Sequence, residues 1–277
     1  MWALTTNTGK HVRRRLVETV NGVIGTRPEP TYADGLGKDI EIVRAFPADS
    51  SSVVGDVYSP DAVDRAPVVV MLHGCCGMRE DLTRYSLAVA GAGSLVYNVS
   101  WRCLRTGDSI RQSIKDITAA VKVAHDVWER PVTLAAWSDG ALPATLAMLE
   151  GESTGDAFVG LSGFYGWAQS PVPSEVVNRR TISYIGDDPK RSPTLWSAAN
   201  PYERLAVPPR RFALFVGERD LALGDTLRFH AALESQKHHA SVEILEECEH
   251  STLVVPRLPA GRESVARLTS IAREIDT

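Results

Sequence analysis

Val132-Thr-Leu-Ala-Ala-Trp-Ser-Asp-Gly-Ala141 is an apolar run that stops at a serine and then continues into a helical pattern. The apolar residues before Ser138 are typical of a buried strand, and residues 141–149 are typical of a helix. Small residues on both sides of the serine allow the strand and the helix to approach closely around a sharp turn. Pro143 fits the first turn of the helix, where its missing N–H would have had no intrahelical partner. The segment therefore predicts a strand–turn–helix unit with Ser138 at the turn.

The five residues Ala136-Trp-Ser-Asp-Gly140 match the pattern G-x-S-x-G, with alanine in place of the first glycine. In that pattern the turn holds the serine in a strained backbone conformation and exposes its hydroxyl. The N–H of Asp139 is then available to a developing negative charge. Such a match is weak evidence alone, because a serine can occupy a strand-to-helix turn by chance. It predicts a nucleophile only if partners for it are found elsewhere in the chain.

Composition excludes several classes of protein. The 277 residues are 44% hydrophobic and 23% charged, as in ordinary globular proteins, and the formal charge of −4 gives no electrostatic signature for nucleic acid. No apolar run reaches the roughly 18 residues of a membrane span. The segment after Arg13-Arg-Arg15 is interrupted by Glu18 and Asn21 and does not match an export signal, so we expect a cytoplasmic location.

Strands and helices are predicted to alternate along most of the chain. Apolar and alternating segments predict about eight strands, at residues 39–46, 52–58, 66–72, 94–99, 132–137, 158–164, 211–216 and 241–246. Helical patterns cover residues 81–91, 109–128, 141–149, 225–236 and 261–275. This alternation predicts βαβ units, and hence an α/β fold with a mostly parallel central sheet flanked by helices.

The two ends of the pattern suggest a division of the chain. Residues 1–36 are predicted to form an N-terminal extension, with a helix over Lys10–Ile24 and a linker around Thr26–Pro30. Residues 37–277 are predicted to form one domain. Residues 166–204, after the sixth predicted strand, are rich in Pro, Ser and Trp and are expected to form a small lid or insertion.

The carboxyl ends of the predicted strands carry residues that suit nucleophilic catalysis. Asp220 follows the strand at residues 211–216, and His250 follows the last strand. Ligand sites of parallel sheets lie beyond these ends, where Ser138 also lies. A serine hydroxyl needs an imidazole to accept its proton, and the imidazole needs a carboxylate to orient it. We therefore predict Ser138 as nucleophile, His250 as base and Asp220 as acid, with Glu218 and Asp225 as alternative acids.

The loop His73-Gly-Cys-Cys-Gly77 follows another predicted strand and is expected to complete an oxyanion hole. Its glycines allow the backbone to approach a substrate closely. The backbone N–H of Cys75, with Cys76 as second choice, would join that of Asp139, and preorganised donors of this kind stabilise an oxyanion. For His73 we expect a structural role in bracing the loop.

Taken together, these motifs make the chain resemble the α/β-hydrolases from about residue 39 to its end. Within that superfamily it resembles feruloyl-esterase-like and kynurenine-formamidase-like esterases related to dienelactone hydrolases. The segments that support the resemblance are Gly55–Pro60, the loop at His73, Val99–Arg102, Leu161–Tyr165, Ser192–Pro193 and Gly217–Asp220. The chain departs from the pattern at Ala136 and at the paired cysteines. The resemblance implies an α/β-hydrolase fold and a serine esterase mechanism.

Four cysteines show neither C-x-x-C spacing nor a Cys/His cluster, so we expect no metal and four free thiols, at Cys75, Cys76, Cys103 and Cys248. In the α/β-hydrolase fold Cys76 and Cys103 would follow neighbouring strands, so a disulfide between them is geometrically feasible. No cofactor is expected.

The sequence thus predicts a cofactor-free serine hydrolase that acts on a small-molecule carboxylic ester through an acyl-enzyme. Several side chains either pack in the core or form an aromatic pocket beside the serine: Cys76, Trp101, Trp137, Phe164, Trp167 and Trp196. The same triad would also serve an amide, formamide or peptide hydrolase, or an acyltransferase. A non-hydrolytic receptor or cyclase is a further alternative. A homodimer stays open, because nothing in the sequence fixes the oligomeric state.

Overall fold

The protein is described here from a computed structural model. The structure describes residues 23–26, 40–45, 53–60, 63–74, 77–103, 106–150, 155–166 and 181–276. Within these residues nine strands form one sheet: β1 (Val23–Thr26), β2 (Glu41–Ala45), β3 (Val54–Ser59), β4 (Val68–Leu72), β5 (Leu95–Ser100), β6 (Val132–Trp137), β7 (Ala157–Leu161), β8 (Arg211–Gly217) and β9 (His239–Leu245). Their order across the sheet is β1-β2-β3-β5-β4-β6-β7-β8-β9.

The sheet is mostly parallel, as predicted. The six strands from β5 to β9 in spatial order run parallel, whereas β1, β2 and β3 pair antiparallel with their neighbours. The helices of the described residues include α1 (Thr83–Gly91), α2 (Ile110–Trp128), α3 (Ala141–Glu150), α4 (Pro193–Ala198), α5 (Leu223–Ser235) and α6 (Pro259–Glu274). At the start of α2 the side chain of Gln112 accepts the N–H of Ser109 at 2.8 Å, as part of a capping box.

Both faces of the central strands are buried, which explains their unbroken apolar sequences. Along β4, Val70 and Leu72 pack with residues of α2, α3 and α5 on one face of the sheet. Val69 and Met71 point the other way and pack with residues of α1 and α6. Successive side chains of a strand alternate between faces, so a strand covered on both sides favours apolar residues at most positions.

The amino-terminal prediction is wrong where the structure describes it. Val23 and Ile24, the end of the predicted helix Lys10–Ile24, belong to β1, as does Thr26 from the predicted linker. β1 pairs with β2 and accounts for the ninth strand of the sheet. The other residues of the predicted extension lie outside the described residues.

The region predicted as a lid is described from residue 181 onwards. It contains helical residues 181–185 and α4, and residues 167–180 lie outside the described part of the chain. A lid role for residues 166–204 stays a prediction. Cys103 is a buried free thiol, and Cys76 lies outside the described residues. Among the described residues, no helix is both long enough and apolar enough to cross a membrane.

Candidate active site

Parallel pairing brings the carboxyl ends of β4, β6, β8 and β9 to one edge of the sheet. Leu72 at the end of β4 pairs with Ala136 near the end of β6. Two strands further along the sheet, Gly217 of β8 pairs with Leu245 of β9. The loops that leave these strands therefore emerge side by side, and they carry the predicted site residues.

Ser138 occupies the sharp turn between β6 and α3. Its backbone has a φ of +57°, in the left-handed region that non-glycine residues rarely adopt. Such a conformation costs about 1–3 kcal/mol and persists only where the surrounding structure holds it. A single 3₁₀ turn, Ser138–Gly140, connects the serine to α3. The hydroxyl consequently projects from the end of the strand instead of into the core.

Gly140 allows the turn to pack directly against the loop that follows β4. A Cβ atom at position 140 would lie 2.3 Å from the carbonyl oxygen of His73, which is far inside any van der Waals contact. A Cβ atom on Gly74 would lie 3.1 Å from the Cβ of Ser138. The glycines thus fix the serine close to the loop from which the second oxyanion donor is predicted to come.

Ser138, His250 and Asp220 form a continuous hydrogen-bonded chain. Oγ of Ser138 lies 2.8 Å from Nε2 of His250, and Nδ1 of His250 lies 2.9 Å from Oδ1 of Asp220. An ionised carboxylate only accepts hydrogen bonds, so Nδ1–H donates to Asp220 and Nε2 is left to accept the serine proton. This is the geometry that activates a serine hydroxyl as a nucleophile.

The Asp220 carboxylate is held in its ionised form. Burial raises the pKa of Asp220, but the hydrogen bonds from His250 and the backbone, together with the nearby Ser162 hydroxyl, lower it by more, so that it lies below its ordinary value. The N–H of Ala222 donates to Oδ1 at 2.8 Å. The buried Ser162 hydroxyl lies beside the same carboxylate, although it is not oriented as an ideal hydrogen bond.

Two aromatic rings lie against the imidazole. The ring centroid of Trp137 is 5.8 Å from that of His250, and Nε1 of Trp137 donates to the His250 carbonyl at 3.4 Å. The ring of Phe164 lies 5.5 Å from the imidazole on a different element, the segment after β7. These contacts limit the orientations of the imidazole while its side chain keeps 23% of its surface exposed.

A second carboxyl group faces the serine. Oδ1 of Asp139 lies 3.5 Å from Oγ of Ser138, on the residue whose N–H is predicted to stabilise the oxyanion. Burial raises the pKa of Asp139, and the positive charge of a protonated His250 opposes this shift. The two acids beside the Ser138–His250 pair therefore have pKa values moved in opposite directions by their surroundings.

His73 braces the loop after β4 from below. Its Nδ1–H donates to the carbonyl of Gly74 at 2.7 Å, and its ring stacks on Trp101 at a centroid distance of 5.2 Å. Burial is the main cause that lowers the pKa of His73, which favours the neutral ring. Trp101 is only 3% exposed, so it packs in the core beneath the loop instead of at an open mouth.

The remaining predicted residues are distributed as follows. Cys75, Cys76 and Trp167 lie outside the described residues. Trp196 of α4 donates from Nε1 to the carbonyl of Asp187 at 2.8 Å and packs on a cluster that includes Leu142, in contact with α2 and α3. The structure therefore brings Trp137 and Phe164 to the imidazole but places Trp101 and Trp196 in packing roles.

Of the two alternative acids, neither bonds to His250. The exposed Glu218 accepts the N–H of Glu247 at 3.2 Å, and Asp225 binds the backbone after β7. Sequence reasoning missed Ser162, whose φ of +51° places its buried side chain near Asp220. The only available signal was the Ser-Gly pair within the predicted strand at residues 158–164. No group of three or more His, Cys, Asp or Glu suited to a metal ion occurs within the described ranges.

Solved structures with this fold include many esterases. Esterase B from Lactobacillus rhamnosis aligns with a TM-score of 0.74 at 14% identity, over 96% of this chain and 92% of that chain. An esterase of the bacterial hormone-sensitive lipase family aligns with 0.71 at 19% identity over 100% of both chains. An esterase/lipase from an uncultured bacterium aligns with 0.70 at 16% identity, over 96% and 97%.

The fold is that of the α/β-hydrolases. No family model matches the sequence, and no curated protein matches it either. At these identities the structural likeness establishes the architecture. The narrower esterase groups that the sequence resembles stay predictions.

We expect Gly140→Ala to destabilise the protein, because the added methyl group would overlap the carbonyl of His73. Overpacking of this kind typically lowers the free energy of unfolding by about 1–3 kcal/mol. Urea denaturation of the variant measures the loss. Gly91→Ala is the matched control, since the added Cβ meets nothing within 4 Å. If both variants unfold at the same urea concentration, the close contact between turn and loop is not present in solution.

Asp220 should make stability depend on pH. Its pKa is lowered in the folded state relative to the unfolded value of about 3.9. The ionised carboxylate therefore contributes stability above about pH 4, and this contribution is lost as the pH falls through the lower folded-state pKa. The difference in unfolding free energy between wild type and Asp220→Asn should shrink from pH 7 to pH 3. Ser138→Ala keeps the carboxylate, so its unfolding free energy should change with pH as that of the wild type does. If the difference between wild type and Asp220→Asn did not change with pH, the lowered pKa of Asp220 would be contradicted.

Proposed function

We propose that the protein is a serine hydrolase that cleaves carboxylic esters of small molecules. One observation carries the proposal: the unbroken chain of hydrogen bonds from Ser138 through His250 to the buried Asp220. It occurs at the edge of the sheet where sites of parallel folds lie, with the serine in a strained turn. The likeness to several esterase structures supports the same chemistry.

In the proposed reaction, Oγ of Ser138 attacks the ester carbonyl while Nε2 of His250 takes its proton. Asp220 stabilises the resulting imidazolium through Nδ1–H. The backbone N–H groups of Asp139 and Cys75 hold the oxyanion. The imidazolium then gives its proton to the departing alcohol, which leaves an acyl group on Ser138. A water molecule, deprotonated by His250, attacks the acyl-enzyme; collapse of this second intermediate returns the proton to the serine and releases the acid.

The wall of the site next to the imidazole is aromatic. Trp137 and Phe164 both contact His250 and would border the leaving alcohol, which must pass close to Nε2. An aromatic or other apolar group on the substrate suits such a wall. The lid over residues 166–204 belongs to this proposal. A cytoplasmic location and the choice between monomer and homodimer remain predictions of the sequence.

Ser138→Ala should abolish hydrolysis of a short-chain p-nitrophenyl ester. Loss of the nucleophile in enzymes of this type reduces kcat by about 10⁴-fold or more. Ser235→Ala is the matched control, because Ser235 is an exposed residue at the end of α5 and its hydroxyl bonds only within that helix. It should retain the wild-type rate. Equal rates for wild type and Ser138→Ala would exclude the mechanism.

An amide hydrolase would use the same triad, so the two functions are distinguished by substrates that differ only in their leaving group. We expect p-nitrophenyl butyrate to be cleaved faster than the matching butyryl p-nitroanilide, because the anilide nitrogen is a poorer leaving group. Comparison of kcat/KM for the two substrates with one enzyme preparation measures this. A preference for the anilide would favour the amidase. Failure of a fluorophosphonate to label Ser138 would favour a non-hydrolytic protein.

A further inference from the structure

Asp225 is a second buried carboxylate near the site, in the first turn of α5, and only 4% of its surface is exposed. Its two oxygens accept four hydrogen bonds. Oδ2 accepts the backbone N–H groups of Tyr165 at 2.5 Å and Gly166 at 3.2 Å. Oδ1 accepts the hydroxyl of Tyr202 at 3.0 Å and the guanidinium of Arg228 at 3.3 Å. A buried carboxylate needs such compensation, and here most of it comes from outside its own helix.

The donors are far apart along the chain. Tyr165 and Gly166 lie where the chain leaves β7, and Tyr202 lies shortly before β8. The carboxylate thus joins the start and the end of the connection between β7 and β8. A Cβ atom on Gly166 would lie 2.8 Å from the ring of Tyr202, so the two ends also touch directly. Burial raises the pKa of Tyr202, which keeps its hydroxyl protonated as a donor.

The residues held by Asp225 adjoin the triad. Phe164 directly precedes Tyr165, and its N–H donates to the carbonyl of Ser138 at 3.2 Å. Its ring lies 5.5 Å from the imidazole of His250. Few contacts therefore separate Asp225 from the site. Asp225 accepts the N–H of Tyr165, Tyr165 is bonded to Phe164, and Phe164 contacts both Ser138 and His250.

The neighbouring residue on α5 acts in the same direction. The hydroxyl of Thr226 donates to the carbonyl of Gly163 at 3.3 Å. The rings of Tyr165 and Phe229 stack at a centroid distance of 4.2 Å. The first two turns of α5 thus bind residues 163–166 through side chains alone, without a strand ladder at these positions.

We propose that Asp225 is a positioning residue of the hydrolase site. Its carboxylate fixes the backbone after β7, and it thereby holds Phe164 against His250 and the carbonyl of Ser138. The proposal rests on the proposed function of the triad. It is distinct from a triad role, because the imidazole bonds to Asp220 and not to Asp225.

A double-mutant cycle tests the connection through Phe164. Asp225→Asn and Phe164→Ala are compared with the double variant by kcat/KM on the p-nitrophenyl ester, below the unfolding temperature of all of them. Misplacement of a site by about 1 Å costs up to roughly 10²-fold, so we expect each single change to lower kcat/KM about tenfold or more. The double variant should lose no more than the worse single variant. Losses that multiply would show independent effects and overturn the proposal, because a merely structural role predicts independence.

Arg228→Ala is the matched control. It removes the half-exposed arginine from the same carboxylate but leaves the backbone and tyrosine donors in place. Exposed ion pairs contribute little, so kcat/KM should stay within about twofold of wild type. If Asp225→Asn does not fold, Tyr202→Phe replaces it in the cycle, since it removes one donor from the carboxylate. A Tyr202→Phe variant as active as Arg228→Ala would then contradict the proposal.

The rate at which a fluorophosphonate labels Ser138 distinguishes a failure of the proposed function from a failure of the positioning role of Asp225. A wild type that neither hydrolyses the ester nor becomes labelled would disprove the proposed function, and the positioning role with it. An active wild type together with an Asp225→Asn variant that matches Arg228→Ala in both assays would leave the function standing. It would reject the positioning role of Asp225 alone.

Discussion

The left-handed backbone of Ser138 is the constraint on which the site depends. A chain that turned less sharply would carry the serine back into the sheet or begin α3 too far from β6. The burial of α3 stabilises the strained conformation of Ser138, because every residue from Ala141 to Leu149 is buried. Gly140, with no Cβ, then brings the turn into contact with the carbonyl of His73. Ser138 and the residues His73 and Gly74 are thus in contact before any substrate arrives, and the proposed oxyanion stabilisation requires such preorganisation.

Three carboxylates near the site have separate roles because their surroundings differ. Hydrogen bonds outweigh burial at Asp220, so its pKa falls and the imidazolium keeps a charged partner. Burial is the largest influence at Asp139 and raises its pKa. The carboxylate of Asp225 accepts hydrogen bonds from the backbone N–H groups of Tyr165 and Gly166 and from the hydroxyl of Tyr202. Position on the fold, more than residue type, therefore decides what each acid does.

The parts of this fold that could be predicted are those with a local physical signature. Burial of β4 on both faces requires an unbroken apolar run, and strand ends in chain order place Ser138, Asp220 and His250 at one edge. β1 has no such signature, because four residues become a strand only by pairing with β2. The same holds for Trp101 in the core: the direction of a loop side chain is set by distant packing. The contacts of Asp225 connect segments that are many residues apart, and no spacing pattern in the sequence predicts such contacts.

The loop that carries Asp220 and the connection between β7 and β8 both contact the start of α5. Asp220 lies just before α5, where the N–H of Ala222 and the positive end of the helix both favour its charge. Asp225 lies one turn later and holds the ends of the β7–β8 connection. The orientation of the triad and the placement of that connection therefore share one support. The same architecture occurs in esterase structures that share only 14–19% sequence identity with this chain. Binding and catalytic residues lie mostly on the loops that a rigid scaffold positions, and in this fold the connection between β7 and β8 and the loop after β4 both leave the edge of the sheet that carries Ser138.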